Sequence, residues 1–338
     1  MKKPFRKILI GIDFSDASLA AARWAATHIA ADAELLLVHV VPVPRPPIYL
    51  DERLGRSAEQ RSISAPRLRT ALQGFADLLG HTRIKVGVRT GVPWSALARV
   101  AGEVKADLIC VGRGQKRKGS NRFGATTPQR LLGISRIPVF VIPQGVTAKP
   151  TRVLAALSAR PGSERVIPVA GRLAKIWESP LEAIHVVEPE VAAVSSDTLD
   201  PAAVRALASE WAGAAISAAG ETDATEPIIR AGDAGQELVT VAREKQGISV
   251  VVMGRTGETV SAPASPSVFR CGSTTRMVLW AAPGPVLIVP LESTETYTLP
   301  IDTPLRGFNT RSRPQADIMS ISPSLSPRGW HPDGNGAA

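Results

Sequence analysis

The sequence predicts an α/β fold built twice, each time as a parallel sheet with helices on both faces. Three observations predict it. Lys7-Ile8-Leu9-Ile10-Gly11-Ile12-Asp13 returns as Arg152-Val153-Leu154-Ala155-Ala156-Leu157-Ser158, and the run ending His39-Val40-Val41-Pro42 returns as Ile184-His185-Val186-Val187. The echo continues downstream: Gly91 matches Gly232, Gly112 matches Gly254, and Pro138 to Pro143 matches Pro285 to Pro290. A period of about 140 residues is the size of an ordinary domain, far above a solenoid repeat. Within each copy, short apolar runs alternate with helical periodicity, and parallel neighbours need a crossover of that length.

In the first copy Ile8–Ile12 is too short and apolar for a helix and reads as a strand. Asp13-Phe14-Ser15-Asp16 suits the cap of a helix over Ala17–Ala31. Leu35–Val41 has the continuous apolar character of a strand buried on both faces, and Pro42 to Pro47 forces an irregular exit. Helix Ala65–Leu79, strand Ile84–Val88, helix Trp94–Val104, strand Leu108–Val111, helix Thr126–Leu132 and strand Val139–Ile142 follow. The second copy repeats the order with strands Val153–Leu157, Leu181–Val187, Pro227–Arg230, Ile248–Met253 and Val286–Val289. Its helices are Glu164–Trp177, Ala202–Ala219, Gln236–Lys245 and Ser273–Leu279. The short junction at Gly145 to Pro150 predicts two sheets that pack against each other. The expected divisions are 1–146, 147–292 and a tail, 293–338, whose Ser, Thr, Pro, Gly and Arg without periodicity predict disorder.

At 44% hydrophobic content the 338 residues suffice for two cores of ordinary size. No apolar stretch reaches the roughly 18 to 20 residues that cross a bilayer, so a membrane partner is not expected. Cys110 and Cys271 form neither a disulfide framework nor a metal spacing, and a cytoplasmic location is the expectation. The net charge of +10 is uneven: residues 1–146 hold 23 Lys/Arg against 10 Asp/Glu, and residues 147–292 hold 13 against 16. Arg113, Lys116, Arg117, Lys118 and Arg122 form a basic run that reads equally as a phosphate neutraliser and as a solvated loop. Basic character confined to one copy is a weak argument for nucleic acid, which is not the expected partner. The six tryptophans are scattered, which suggests packing and not a base-stacking platform. Nor does a Ser/His/Asp set, carboxylate pair or metal cluster occur at a spacing that needs catalysis to explain it, so no catalytic or metal residue is assigned.

Ligands of open doubly wound sheets bind outside the carboxyl ends of the strands, where strand order reverses. Those ends present Asp13, then Val40-Val41, then Gly112-Arg113-Gly114, with Gly124-Ala125-Thr126-Thr127 opening a helix. Glycines let a backbone approach an anion, and a helix N-terminus supplies free N–H groups. No Gly-Lys-Ser/Thr follows at P-loop spacing. The alternatives stay beside this reading: Asp13 as a helix cap only, His39 and His185 as core or strand-end residues, Cys110 as a small buried apolar residue.

Ile8 to Ser15, the Leu36-Leu37-Val38-His39-Val40 run, Val111-Gly112 and Pro138-Val139 together resemble the universal stress protein family, here in a tandem form over about residues 5–145 and 150–291. The resemblance implies a Rossmann-like five-stranded sheet of order 3-2-1-4-5 in each copy, an intrachain pseudo-dimer that leaves a homodimer open, and a stress-related regulatory role. It implies, for some members, ATP held by a pattern G-x2-G-x9-G-(S/T), with Mg²⁺. The first copy departs from that pattern. Gly112-x-Gly114-x9-Gly124 has a shorter first gap and Ala125 at the hydroxyl position; the ungapped alternative places Gln115 and Ala125 on glycines and Thr126 on the hydroxyl. The ungapped form keeps the spacing between Gly112 and Pro138 and is preferred. The second copy has Gly254-x2-Gly257 and Gly272-Ser273, but 14 residues between its later glycines, and Ser158 where the first has Asp13. The expected nucleotide residues are therefore those of the first copy: Gly11, Ile12, Asp13 by the ribose, Val40 by the adenine, Val111, Gly112, Arg113, Gly114, Gly124, Ala125, Thr126 and Thr127. Slow ATP hydrolysis at this site and a nucleotide-free interaction module are the rivals.

Overall fold

Five strands from each copy pair into one sheet of ten in the computed structural model, which describes residues 5–30, 32–42, 58–114, 126–160, 162–188, 200–220, 225–255, 257–262 and 265–291. The first repeat runs β1 (Lys7–Ile12), α1 (Asp16–His28), β2 (Glu34–Pro42), α2 (Ala58–Leu78), β3 (Ile84–Gly91), α3 (Pro93–Glu103), β4 (Leu108–Arg113), α4 (Thr127–Ile134) and β5 (Val139–Pro143). The second runs β6 (Arg152–Leu157), α5 (Val166–Trp177), β7 (Leu181–Val187), α6 (Pro201–Ala218), β8 (Ile228–Ala231), α7 (Ala234–Glu244) and β9 (Ser249–Gly254). After β9 come β10 (Gly257–Ala262) and β11 (Ser265–Cys271), then α8 (Ser273–Ala281) and β12 (Val286–Val289).

The sheet order is β3-β2-β1-β4-β5-β12-β9-β6-β7-β8, so each repeat has the order 3-2-1-4-5. In this sheet all pairs within a repeat are parallel, and the repeats meet through antiparallel β5 and β12, with Phe140 opposite Leu287. The expected packing of two sheets against each other is thereby corrected: they join edge to edge. Each terminal β5-type strand is apolar on both faces and has one unpaired edge, and pairing the two edges satisfies both rows of backbone groups. Because strand side chains alternate, Ile8, Ile10, Cys110, Phe140, Val153 and Leu287 enter one core while Leu9, Ile109, Val139, Leu154 and Ile288 enter the other. Both cores thus run through both repeats. Gly91 and Gly232 share an unusual backbone, φ +133° and +144°, between the third strand and third helix of each repeat. That region is open to glycine at little cost.

At the seam the rings of Trp24 on α1, Phe140 on β5 and Trp177 on α5 cluster at centroid distances of 5.5 to 6.5 Å. Their indole N–H groups donate to the carbonyls of Ala148 (3.2 Å) and His28 (2.7 Å). The rings therefore bury apolar area without orphaning a polar atom. The tryptophans that the sequence scatters serve packing at these two positions.

At the amino-terminal edge of the sheet each repeat places an ion triad. In the second, Arg152 and Glu182, with side chains 3% and 4% exposed, pair at 3.2 Å, Lys245 reaches Glu182 at 2.6 Å, and Arg152 also donates to Ser249 and the Val241 carbonyl. In the first, Glu34 pairs with Lys85, 73% exposed, and lies 3.9 Å from Lys7. The hairpin β10–β11 lay outside the sequence expectation. It occupies the interval that separates Gly257 from Gly272, and β11 lies against α4 of the first repeat. The predicted disordered tail falls outside the described residues.

Candidate functional site

β1 ends at Ile12, and the turn that follows is built around Asp13. Asp13 Oδ1 accepts from the Ser15 amide (3.0 Å) and the Ser15 hydroxyl (2.5 Å), and the Asp13 amide donates to Ser18 Oγ (3.2 Å). Ser15, not Asp13, is the N-cap of α1 and accepts from the Ser18 amide. Phe14 takes a left-handed φ of 60° between them, a conformation sparsely populated by residues with a side chain. Burial pushes the Asp13 carboxyl up, but the hydrogen bonds from Ser15 and Ser18 and from backbone amides outweigh it and hold the group below its ordinary value. An exposed carboxylate is thus kept ionised and oriented at the carboxyl edge of the sheet.

Beside it, His39 Nδ1 donates to the Ile12 carbonyl at 2.8 Å, and in the second repeat His185 Nδ1 donates to the Leu157 carbonyl at 3.1 Å. A carbonyl only accepts, so the proton sits on Nδ1 in both. The histidines lock the second strand to the first, as strand-end residues. Aromatic partners differ: Phe14 lies 5.0 Å from His39, whereas Trp211 from α6 lies 5.3 Å from His185.

Gly112 sits where β4 passes under the first turn of α1. A Cβ there would lie 2.3 Å from the Ala17 carbonyl oxygen and 2.7 Å from the Ser18 amide, both backbone atoms that cannot swing aside. Helix packing alone therefore demands this glycine. Gly11 faces side chains instead, with Leu97 at 3.0 Å and Val111 at 3.3 Å from where a Cβ would be, and the side chains of Ile12, Val40 and Val111 are buried core. Gly114 is exposed, and a Cβ there would make only ordinary contact with Ala17 Cβ at 3.9 Å. Thr126 caps α4, and Gln129 Oε1 folds back to accept from its amide (2.9 Å) and hydroxyl (3.3 Å). Thr127 opens the helix. Gly124, Ala125, Gln115 and the basic residues 116–122 lie outside the described residues. The Arg113 guanidinium is committed elsewhere, to the carbonyls of Leu279 and Ala282 in the second repeat, and burial pulls its pKa down. Cys110 is fully buried, and burial pushes its thiol up, as for a small apolar residue.

The same edge of the second repeat is built differently. Ser158 stands at the Asp13 position, and its carbonyl accepts from the Ser163 hydroxyl. At Gly254 the three atoms nearest to a Cβ all belong to the Leu291 side chain, the first at 2.5 Å. Leu291 is anchored by Arg165, which donates to its carbonyl at 2.8 Å. An aliphatic side chain thus fills the room beside the second repeat's Gly254. Sequence reasoning did not assign roles to Ser18, Gln129 or Leu291; the D-x-S-x-x-S spacing of Asp13, Ser15 and Ser18 carried the signal for the first.

Compared by sequence with curated proteins, the chain has no match. Among solved structures, a universal stress protein from Archaeoglobus fulgidus DSM 4304 matches 87% of this chain and 98% of its own at 17% identity, with a TM-score of 0.60. A functionally unknown protein from Pseudomonas aeruginosa PAO1 matches 85% of this chain and 93% of its own at 16% identity, TM-score 0.52. A universal stress protein in complex with cAMP is 26% identical over 42% of this chain and 98% of its own, TM-score 0.31. The first two likenesses establish the fold. The universal stress protein family model matches residues 4–143 and again 150–290, so the chain belongs to that family as a tandem of two copies.

Proposed function

We propose that this chain is a regulatory, stress-response binding module that takes an adenine nucleotide at the carboxyl edge of its first repeat, in the cytoplasm. The observation that carries the reading is the contrast at one position: an ionised, exposed and oriented Asp13 in the first repeat and a serine in the second. A carboxylate is the acceptor that a ribose hydroxyl pair calls for. Val40, Gly112 and Gly114 line the approach from β2 and β4, and the first turn of α4 would face the phosphates, with Mg²⁺ on them. Family membership supports a nucleotide, since one member has been solved in complex with cAMP. Binding needs no general base.

Two observations favour a nucleotide-free interaction module instead. Gln129 already bonds the Thr126 amide that a phosphate would use, and Gly112 is explained by packing. Titration calorimetry of nucleotide-stripped protein with ATP and Mg²⁺, and separately with cAMP, decides between them. Micromolar binding near one per chain, weakened at least about fivefold by Asp13→Ala and untouched by Ser158→Ala, is expected. Absence of heat with either ligand leaves the interaction module as the reading.

A further inference from the structure

Two arginines at matched places cross the seam in opposite directions. Arg113 follows Gly112 at the end of β4, and Arg255 follows Gly254 at the end of β9. Arg113 Nη1 and Nη2 donate to the Leu279 and Ala282 carbonyls, in the last turn and C-cap of α8. Arg255 Nη1 donates to the Leu132 (3.3 Å) and Ser135 (3.1 Å) carbonyls, in the last turn and C-cap of α4. The acceptors correspond as the donors do, since Leu132 aligns with Leu279 and Ser135 with Ala282 by the same offset as the β5-type strands. The last carbonyls of a helix lack intrahelical partners and carry the negative end of its dipole, and a planar guanidinium fits two of them at once.

We infer that Arg255 is a positioning residue for the first-repeat site: it fixes α4 from its C-terminal end, and Arg113 fixes α8 reciprocally. α4 is eight residues long, about 12 Å, so holding its last turn sets the direction of its first, where Thr126 and Gln129 lie. β11 of the second repeat lies along the same helix. A repeat whose own edge is filled by Leu291 thereby acts on the site of its neighbour. The link to ligand binding rests on the nucleotide reading above; the clamp itself does not.

The test uses the full chain with Arg255→Ala, Arg255→Lys and Arg113→Ala, read by hydrogen exchange and by titration with ATP and Mg²⁺. Arg255→Ala is expected to speed exchange over residues 127–135 about tenfold while β4 and β5 stay protected, and Arg113→Ala to do the same over residues 273–282 and not in α4. Arg255→Lys, which keeps the charge but not the planar group that aims Nη1 at both carbonyls, is expected to fall between wild type and alanine, and serves as the reading if alanine unfolds the chain. ATP affinity is expected to drop about tenfold in Arg255→Ala. Unchanged exchange in α4, or exchange raised evenly through both repeats, overturns the clamp. Loosened α4 with unchanged affinity overturns the positioning role. Wild-type protein that takes no nucleotide removes the functional reading alone, and the exchange pattern still decides the clamp.

Discussion

The two repeats share one topology and differ at both edges of the sheet. At the carboxyl edge the first presents an open, ionised Asp13, while the second has Ser158 and sets Leu291 against Gly254. At the amino edge the order reverses: the first leaves its Glu34 ion pairs near solvent, and the second buries Arg152 and Glu182. The backbone frame is indifferent to these choices, because strand pairing and the two-faced cores set it. Chemistry at an edge is therefore free to differ between copies of one fold, and here the second copy is the one arranged for packing.

The largest expected effect breaks that contrast at matched triads. Glu182→Ala leaves the Arg152 guanidinium buried without its carboxylate and should cost about 3–5 kcal/mol, measured by urea denaturation. A loss below about 1 kcal/mol would mean that the second triad is no more structural than the first. Next comes the pair of glycines. Gly112→Ala drives a Cβ into the α1 backbone and should cost about 1–3 kcal/mol, whereas Gly254→Ala first meets the Leu291 side chain, which can shift, and should cost less. Equal melting temperatures for the two variants would erase the distinction between backbone and side-chain filling.

The smallest effect belongs to Glu34→Gln, about 0–1 kcal/mol at neutral pH. The hydrogen bond from Lys85 comes first among the causes that hold the Glu34 carboxyl below its ordinary 4.5. A depressed carboxylate pKa stabilises the fold fully above the ordinary value, and the contribution is lost as pH falls through the folded value. The stability difference between wild type and Glu34→Gln should therefore fade on the acid side of 4.5. A difference that grows on acidification would contradict the sign.

Much of this was legible because it is local. Alternating apolar runs and helical periods located strands Leu181–Val187 and Val286–Val289 to the residue, and the D-F-S sequence announced a capped helix start. The matched histidines were legible as strand-end residues from their place beside apolar runs. Arg113 was not. Its neighbours in sequence are glycines and cations, which point to phosphate, and its hydrogen-bond partner Ala282 is 169 residues away. The hairpin was visible only as excess length between Gly257 and Gly272. Likewise Gly112 suggested a ligand approach, and the atom that needs the space is the carbonyl of Ala17.

By itself the sequence determined the repeat, the α/β alternation, the two-faced burial of the central strands and the loss of an acidic group at Ser158. All of these follow from side-chain character at spacings of two to four residues, or from position-by-position comparison of the copies. Only the tertiary structure decided that β5 and β12 join the sheets by their edges, that Leu291 sits against Gly254, and that Arg113 and Arg255 serve the opposite repeat. Those depend on which free edges, helix ends and gaps are brought together once both cores have formed, and residues far apart in the chain carry no mark of that meeting in their own neighbourhoods.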